Sequence, residues 1–446
     1  MRQFFVNTVR PTALLLLLAL ALIACGSPAD TQPTGTDSTA PTTMPVHPES
    51  SETISADSTT RAEETTPSTV FARTYAGYAA EILAEPERTP TFAELPDMLS
   101  AAEAERDRRV EALLDITLTK TEVTDMSAEV MRLAQMGASP DLLAFSSAQT
   151  AGTLASGGYL ANLAGMGPLN LLEPAFDRSL IESLSLAKQI FFLFGDATVA
   201  DKMATSVIWL DVEAAAWLGL DVSDLLDRVR AVEWTVDSLT QLAAEGMTSL
   251  DGDAVLPVLI GAGGHFFVKY KDDMPTLIQL DDCFSYAYAA MQDVMAYAES
   301  NPDAALTVGT LADRTDGRLA IPLPILEEGE AYRSFVNPEL AACIAVPASP
   351  EDPVRTGDLL NAYFIKSADT VAGVLMPFLS GGHDEDLLDL ILADRECTLG
   401  FLFDWGNLDE ALIDSVGMRE EEFRTAFAMR ITAAAKAMEI VLNRLT

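Results

Sequence analysis

Beyond residue 71, apolar residues recur every three or four positions along most of the chain, the spacing of helices that bury one face. The last segment is the plainest. Phe423, Phe427, Ile431, Ala434, Met438, Val441 and Leu445 form one stripe, with Glu420, Glu421 and Glu422 at its start and Lys436 and Arg444 in its later turns, as the helix dipole favours. Similar stripes predict helices from Thr198 to Trp217, through Val199, Met203, Val207, Leu210 and Ala214, and from about Asp281 to Glu299, through Phe284, Tyr288, Met291 and Met295. A fourth helix is predicted from Asp97 to Ile116. Gly137, Gly219, Gly246 and Gly417 each follow an apolar run and precede or neighbour another apolar residue, the pattern of a left-handed residue closing a helix.

These patterns predict an all-α body over 71–446, built of antiparallel helix pairs, with at most one short strand or hairpin where Phe266-Phe267-Val268 stand. No repeat of fixed length is present. Pro322, Pro324, Pro338, Pro347, Pro350 and Pro353 fall in 301–358 with four glycines, so this stretch is expected to be an excursion with only short helices, one of them from Pro338 to Ile344. It subdivides the body or forms a lid.

The first residues follow another logic. Arg2 and Arg10 precede the run from Thr12 to Ile23, which is too short to span about 30 Å of hydrocarbon. The run has the length and flanks of a secretory signal core. It ends in Leu22-Ile23-Ala24-Cys25-Gly26, which resembles the lipobox of bacterial lipoproteins. The resemblance covers residues 1–25 only and implies a signal peptide over 1–24, cleavage between Ala24 and Cys25, and acyl chains on Cys25 that hold the protein on the extracytoplasmic side of a cell membrane or outer membrane. Two or three acyl chains suffice for stable anchoring, at roughly 0.8 kcal/mol per buried CH₂.

From Gly26 to Val70, 25 of 45 residues are Ser, Thr or Pro, which leaves too little apolar surface to offset chain entropy. The segment 25–70 is therefore expected to be a disordered linker, a stalk between anchor and body. The whole chain has 446 residues, with 67 acidic side chains against 28 Lys plus Arg and a formal net charge of −39. This leaves no basic surface for nucleic acid. So strong a like-charge surface is better tolerated where salt shortens the Debye length from about 8 Å to about 3 Å.

Candidate chemistry is sparse. Only three histidines are present, and no nucleophile, base and orienting group stand together in a known motif, so no catalytic residue is assigned. The best cluster is Ser380-Gly381-Gly382-His383-Asp384-Glu385-Asp386, where a Gly-Gly turn delivers His383, Asp384, Glu385 and Asp386 to a helix start; such nitrogen and oxygen ligands suit a divalent metal. Gly381, His383 and Asp386 are similar to the Gly-x-His-x-x-Glu signature of imelysin-like lipoproteins, with Asp in place of Glu, which implies a metal-linked envelope role. The plainer use of those acids is to complement the helix dipole. The run Gly261-Ala262-Gly263-Gly264-His265 lacks the third glycine of a dinucleotide loop, and close packing accounts for it. Asp251-Gly252-Asp253 and Asp313 with Asp316-Gly317 carry fragments of calcium loops. Setting Gly317 at the turn position puts Ala312 first and Arg314 third, and the ligand ladder fails. Cys283, Cys343 and Cys397 are too scattered for their pairing to be read. Tyr286, Tyr288, Met291, Met295 and Tyr297 line a cavity or, at helical spacing, fill a core.

The expected function is that of a lipid-anchored envelope protein with a non-catalytic binding or structural role, no cofactor, and an unknown protein or small-molecule ligand. Two alternatives stand beside it. One is a metal-handling protein or metal-dependent enzyme using His383, Asp384, Glu385 and Asp386; the other is a helical solute-binding receptor with a cavity between helices.

Overall fold

The computed structural model describes residues 69–86, 95–265, 267–270, 273–277, 282–297, 301–380 and 385–445. The signal segment with Ala24 and Cys25, nearly all of the linker, and His383 with Asp384 lie outside the described residues. Residues from Glu64 onward form one compact unit.

The chain begins as alternating strands and helices: β1 (Tyr78–Ala84), α1 (Leu95–Leu114), β2 (Ile116–Glu122), α2 (Met126–Met136), β3 (Leu142–Phe145) and α3 (Ala148–Ser156). It continues through α4 (Arg178–Ser183) and α5 (Ala200–Met203) into β4 (Ser206–Asp211), α6 (Val212–Leu218), α7 (Val222–Arg230), α8 (Val236–Ala244), β5 (Thr248–Ser249) and α9 (Val255–Gly261). A hairpin of β6 (Phe267–Tyr270) and β7 (Met274–Leu277) leads to α10 (Asp282–Met295), β8 (Leu306–Thr310) and β9 (Arg318–Ile321). The chain returns by β10 (Ser334–Phe335) to β11 (Cys343–Ala345), α11 (Pro353–Ser367), a π-helical turn over Ala368–Ala372, α12 (Gly373–Ser380) and α13 (Glu385–Leu392). After β12 (Arg395–Glu396) come α14 (Leu399–Leu402), α15 (Leu408–Ile413) and the terminal α16 (Glu420–Leu445).

Two four-stranded mixed sheets organise these elements. The first runs β11-β3-β1-β2, with β1 parallel to β2 and β3, and β11 antiparallel to β3. The second runs β5-β8-β4-β9, with β8 and β9 antiparallel to β4 and β5 parallel to β8. The body is thus α/β, with 16% of the structure in strands, and the all-α expectation is overturned.

The errors have local causes. The segment expected as one helix from Thr198 to Trp217 is α5, then β4, then α6. Ser206, Val207, Ile208, Trp209 and Leu210 are all buried, so β4 has no polar face to alternate. The 301–358 stretch holds β8, β9, β10 and β11 and carries the chain from the second sheet back to the first. Pro338 to Leu340 form a turn, not the start of a helix. Its carbonyls do other work: Pro338 accepts from the Gln149 amide at 3.2 Å and Ala341 from the Ala148 amide at 2.8 Å, which satisfies the first free N–H groups of α3.

Helix ends follow the expected chemistry. Asp125, Ser147, Asp211 and Asp352 accept from the first backbone N–H groups of α2, α3, α6 and α11, and Pro353 opens α11. Gly137 and Gly219 close α2 and α6 with φ of 68° and 84°. The main core runs continuously under both sheets, and within it Tyr288 of α10 stacks on Phe423 of α16 at 4.6 Å. Tyr288, Met291 and Met295 are core, whereas Tyr286 and Tyr297 are exposed. Among the described residues no helix is long and apolar enough to cross a membrane.

Candidate functional site

Three passages of chain between the sheets lie side by side. Thr205, entering β4, bridges to Val336, and β10 pairs in parallel with β12. On one flank of this junction the sheets are joined by a second apolar core, in which Leu95 and Leu99 of α1 meet Val207 and Trp209 of β4, Leu375 and Leu379 of α12, and Ile391 of α13. The other flank is open. There, outside the carboxyl ends of β3 and β8, lies a cleft of about 450 Å³.

The floor of the cleft is apolar. Phe335 of β10 and Phe401 of α14, both buried, meet edge to face with ring centroids 6.3 Å apart. The first-sheet wall is the turn after β10 together with the start of α3. Asn337 Oδ1 accepts from the Glu339 amide at 2.9 Å, and Ser147 Oγ donates to the Pro338 carbonyl at 3.3 Å. This fixes the backbone from which Gln149 and Glu339 reach the cavity.

The opposite wall belongs to the second sheet. Asp313 Oδ2 accepts from the Thr310 amide at 2.8 Å and from Thr310 Oγ1 at 3.0 Å, while Trp209 Nε1 donates to the Thr310 carbonyl at 2.9 Å. Asp251 Oδ1 accepts from the Asp253 amide at 3.0 Å, shaping the turn before α9. Ile413 of α15, exposed, contributes an apolar edge beside Gly252. The result is an aromatic floor below hydroxyl, amide and carboxylate groups, an arrangement suited to a ligand with both apolar faces and hydrogen-bonding edges.

The sequence-predicted candidates sit elsewhere. Glu385 and Asp386 occupy the exposed first turn of α13, while His383 and Asp384 fall outside the described residues. Among the described residues no three His, Cys, Asp or Glu side chains are placed to hold a metal ion. His265 Nδ1 lies 3.0 Å from Glu396 Oε1 on β12, so its imidazole is engaged at the sheet junction. Cys343 and Cys397 are buried and unbridged, and burial pushes both thiols up, away from reactivity.

The sequence fragments set aside as failed calcium loops have a different fate: Asp251, Asp253 and Asp313 converge on the cleft. Glu339, Gln149 and Phe401 carried no sequence signal. They are far apart in the chain, and only the crossing of β10 and β12 brings them together.

Beneath the cleft, Arg395 of β12 is wholly enclosed. Its guanidinium lies 2.5 Å from Asp177 Oδ2 and 2.8 Å from Asp201 Oδ2, and it donates to Thr205 Oγ1 at 3.3 Å. Burial alone would raise the Asp177 carboxyl, but Arg395 and the backbone amide of Leu180 outweigh it and hold Asp177 below the usual carboxylate range. Nearby Asp196, on an open pocket with Lys202, is pushed up to about 6 by burial.

No family model matches the chain, and no curated protein matches it in sequence. Solved structures do match. The cyclic alpha-maltosyl-1,6-maltose binding protein from Arthrobacter globiformis aligns with a TM-score of 0.54 at 12% identity, over 82% of this chain and 97% of that one. RafE from Streptococcus pneumoniae in its apo form aligns with a TM-score of 0.49 at 12% identity, over 83% of this chain and 100% of that one. At such identity the first likeness speaks to architecture alone: this chain shares the α/β fold of that sugar-binding protein.

Proposed function

We propose that this protein is a solute-binding receptor, tethered outside the cytoplasm through acyl chains on Cys25, that holds a small hydroxyl-rich solute between its two sheets. The observation that carries the reading is the 450 Å³ cleft. It lies outside the carboxyl ends of strands, at the junction where the chain passes from one sheet to the other, the position where open α/β folds take ligands. The structural neighbour from Arthrobacter globiformis is a cyclic alpha-maltosyl-1,6-maltose binding protein, which supports a carbohydrate as the solute class. Phe335 and Phe401 supply an apolar floor against which the C–H surface of a sugar ring can rest, and Gln149, Asn337, Thr310 and the acidic side chains supply partners for its hydroxyls.

The test is thermal melting of the full-length protein in mild detergent against mono- and oligosaccharides. A ligand at one hundred times its Kd stabilises by about 2.7 kcal/mol, several degrees in melting temperature. Phe401→Ala should abolish the shift while leaving the protein folded. A panel without any shift, or a shift that survives Phe401→Ala, defeats the reading. Labelling with radioactive palmitate, with and without Cys25→Ser, tests the anchor independently.

A further inference from the structure

Trp209 of β4 is buried in the second apolar core, together with Leu95 and Leu99 of α1 and Leu375 and Leu379 of α12. A buried indole needs a partner for its one N–H. Trp209 donates it to the Thr310 carbonyl at 2.9 Å, at the end of the neighbouring strand β8. Room for this comes from Gly309, where a Cβ would stand 3.2 Å from Trp209 Cδ1 and 3.4 Å from its Nε1. The indole therefore lies against bare backbone.

Thr310 opens the single turn Leu311–Asp313. Asp313 Oδ2 accepts from the Thr310 amide and hydroxyl, and the Leu311 amide donates to the Thr205 carbonyl at 3.0 Å. One helical turn is not self-supporting, because it fixes several dihedrals for few hydrogen bonds. This one is held from outside, by Leu311 sealed in the second apolar core and by the Trp209 N–H on its first carbonyl. On its other face Gly309, Thr310 and Asp313 line the cleft. The Trp209 ring lines a different cavity, of about 240 Å³, together with Leu379 and Leu388 of the same apolar core. The indole thus stands between the packed flank and the solute wall.

We infer that Trp209 is a positioning residue of the solute site: without touching the solute, it sets the Thr310–Asp313 wall by holding the Thr310 carbonyl from behind. This rests on the receptor reading given above. Core filling alone does not account for the residue type. Phe would fill apolar space with no polar group to satisfy, whereas the indole N–H is directed at a carbonyl of the cleft wall. Trp234 supplies the contrast. It is also wholly buried and donates to the Pro322 carbonyl at 3.1 Å, but Pro322 is not among the described residues that line the cleft. The cavity beside the Trp209 ring adds a second difference, because a side chain with free space on one side can shift with the wall where a close-packed one cannot.

The experiment is calorimetric titration of the full-length protein in mild detergent with glucose, maltose and maltotetraose, paired with amide hydrogen exchange of the free protein. The parent is compared with Trp209→Phe, with Trp234→Phe, and with a protein carrying benzothienylalanine in place of Trp209, which keeps the bicyclic shape and lacks the N–H. Both changes at Trp209 should weaken saccharide binding about tenfold, the weight of one hydrogen bond. Both should also speed exchange of the Thr310 and Leu311 amides about tenfold, while the amides of Val207 to Leu210 keep the parent's rates. Trp234→Phe should bind as the parent does even where it melts lower. Parent affinity in the benzothienylalanine protein overturns the inference and leaves the receptor reading standing. An equal loss of affinity in Trp234→Phe also overturns it, since affinity would then follow overall stability. Unchanged exchange at Thr310 overturns it without any solute. A parent that binds none of the saccharides takes down the receptor reading, and the positioning role goes with it.

Discussion

Arg395 and Asp201 face each other at 2.8 Å with both side chains sealed from solvent, at the place where the third passage of chain between the sheets lies beside the second. Asp177, 2.5 Å from the same guanidinium, ties this point to the start of α4, whose Leu180 amide it also caps at 2.8 Å. A buried charge persists only when paired and hydrogen-bonded. The triad therefore fixes the junction beneath the cleft, and removing its one cation strands two carboxylates in the interior.

Arg395→Met should lower unfolding free energy by about 3–5 kcal/mol, the cost of leaving a buried charge uncompensated. Urea denaturation checks this. Adding Asp201→Leu should recover part of the loss, because it removes one of the stranded charges. Asp177 cannot be sacrificed in the same way while it caps α4. A single Met variant as stable as the parent would mean that the triad contributes nothing net.

Asp196 gives the opposite pH sign to Asp177. Its carboxyl is pushed up to about 6 from an ordinary value near 3.8, so the folded state binds the proton more tightly than the unfolded chain. Stability from this group is complete below pH 4 and falls as the pH rises toward 6. Asp196→Asn should therefore stabilise the protein at pH 7.5 by about 1–3 kcal/mol and have no such effect near pH 3.5. Asp177, held low, adds stability that is present above its unfolded value and is lost as the pH falls through its folded one. Melting curves of parent and Asp196→Asn from pH 3.5 to 8 separate the two.

What the sequence revealed and hid follows from which faces are wet. The terminal helix was readable because α16 keeps one face in solvent: Phe423, Phe427 and Ala434 are buried while Met429 and Ile440 are exposed. The strands β3, β4 and β11 were unreadable by period, since Leu142, Leu143, Ile208, Leu210, Cys343 and Ala345 are buried in unbroken runs. β2 is legible in the sequence: Ile116, Leu118 and Lys120 alternate with threonines, a strand signature that directly follows the helical period of α1. The cleft is a product of topology. Gln149 and Phe401 stand 252 positions apart, joined by a bond from Gln149 Nε2 to the Phe401 carbonyl at 3.5 Å.

Gly195 is fixed by its neighbours. Its φ is +146°, and a Cβ there would sit 2.1 Å from the Ala175 carbonyl oxygen and 2.9 Å from Phe176 Cα, where the two segments form an antiparallel bridge. Neither contact is the end of a flexible side chain, so the backbone itself must give way. Gly195→Ala should cost about 3 kcal/mol or more through combined strain and overpacking. Chemical denaturation reads the loss, and a cost below about 1 kcal/mol would show that the bridge is soft.

Gly309 controls the cleft wall more locally. A Cβ at this position would stand 2.9 Å from Asp313 Oδ2 and 3.2 Å from Trp209 Cδ1. The carboxylate can swing aside, which loosens its hold on Thr310. Gly309→Ala should leave the fold within about 1–2 kcal/mol of the parent. It should weaken binding of the cleft's solute at least tenfold, because the wall moves into the cavity. Equal affinities in the two proteins would place the ligand away from Asp313.

Salt should separate the surface from the interior. With 67 acidic and 28 basic side chains, the exterior repels itself, and raising NaCl from 0.15 to 1 M shortens the Debye length from about 8 Å to about 3 Å. The parent's melting temperature should rise over that range. Arg395 and Asp201 are closed to ions, while Asp177 is only partly exposed, so most of the stability difference between parent and Arg395→Met should persist as salt increases, even while both proteins become more stable. A difference that vanishes with salt would mean that water and ions reach Arg395. A parent whose melting point does not move would mean that the acidic exterior is already relaxed at 0.15 M.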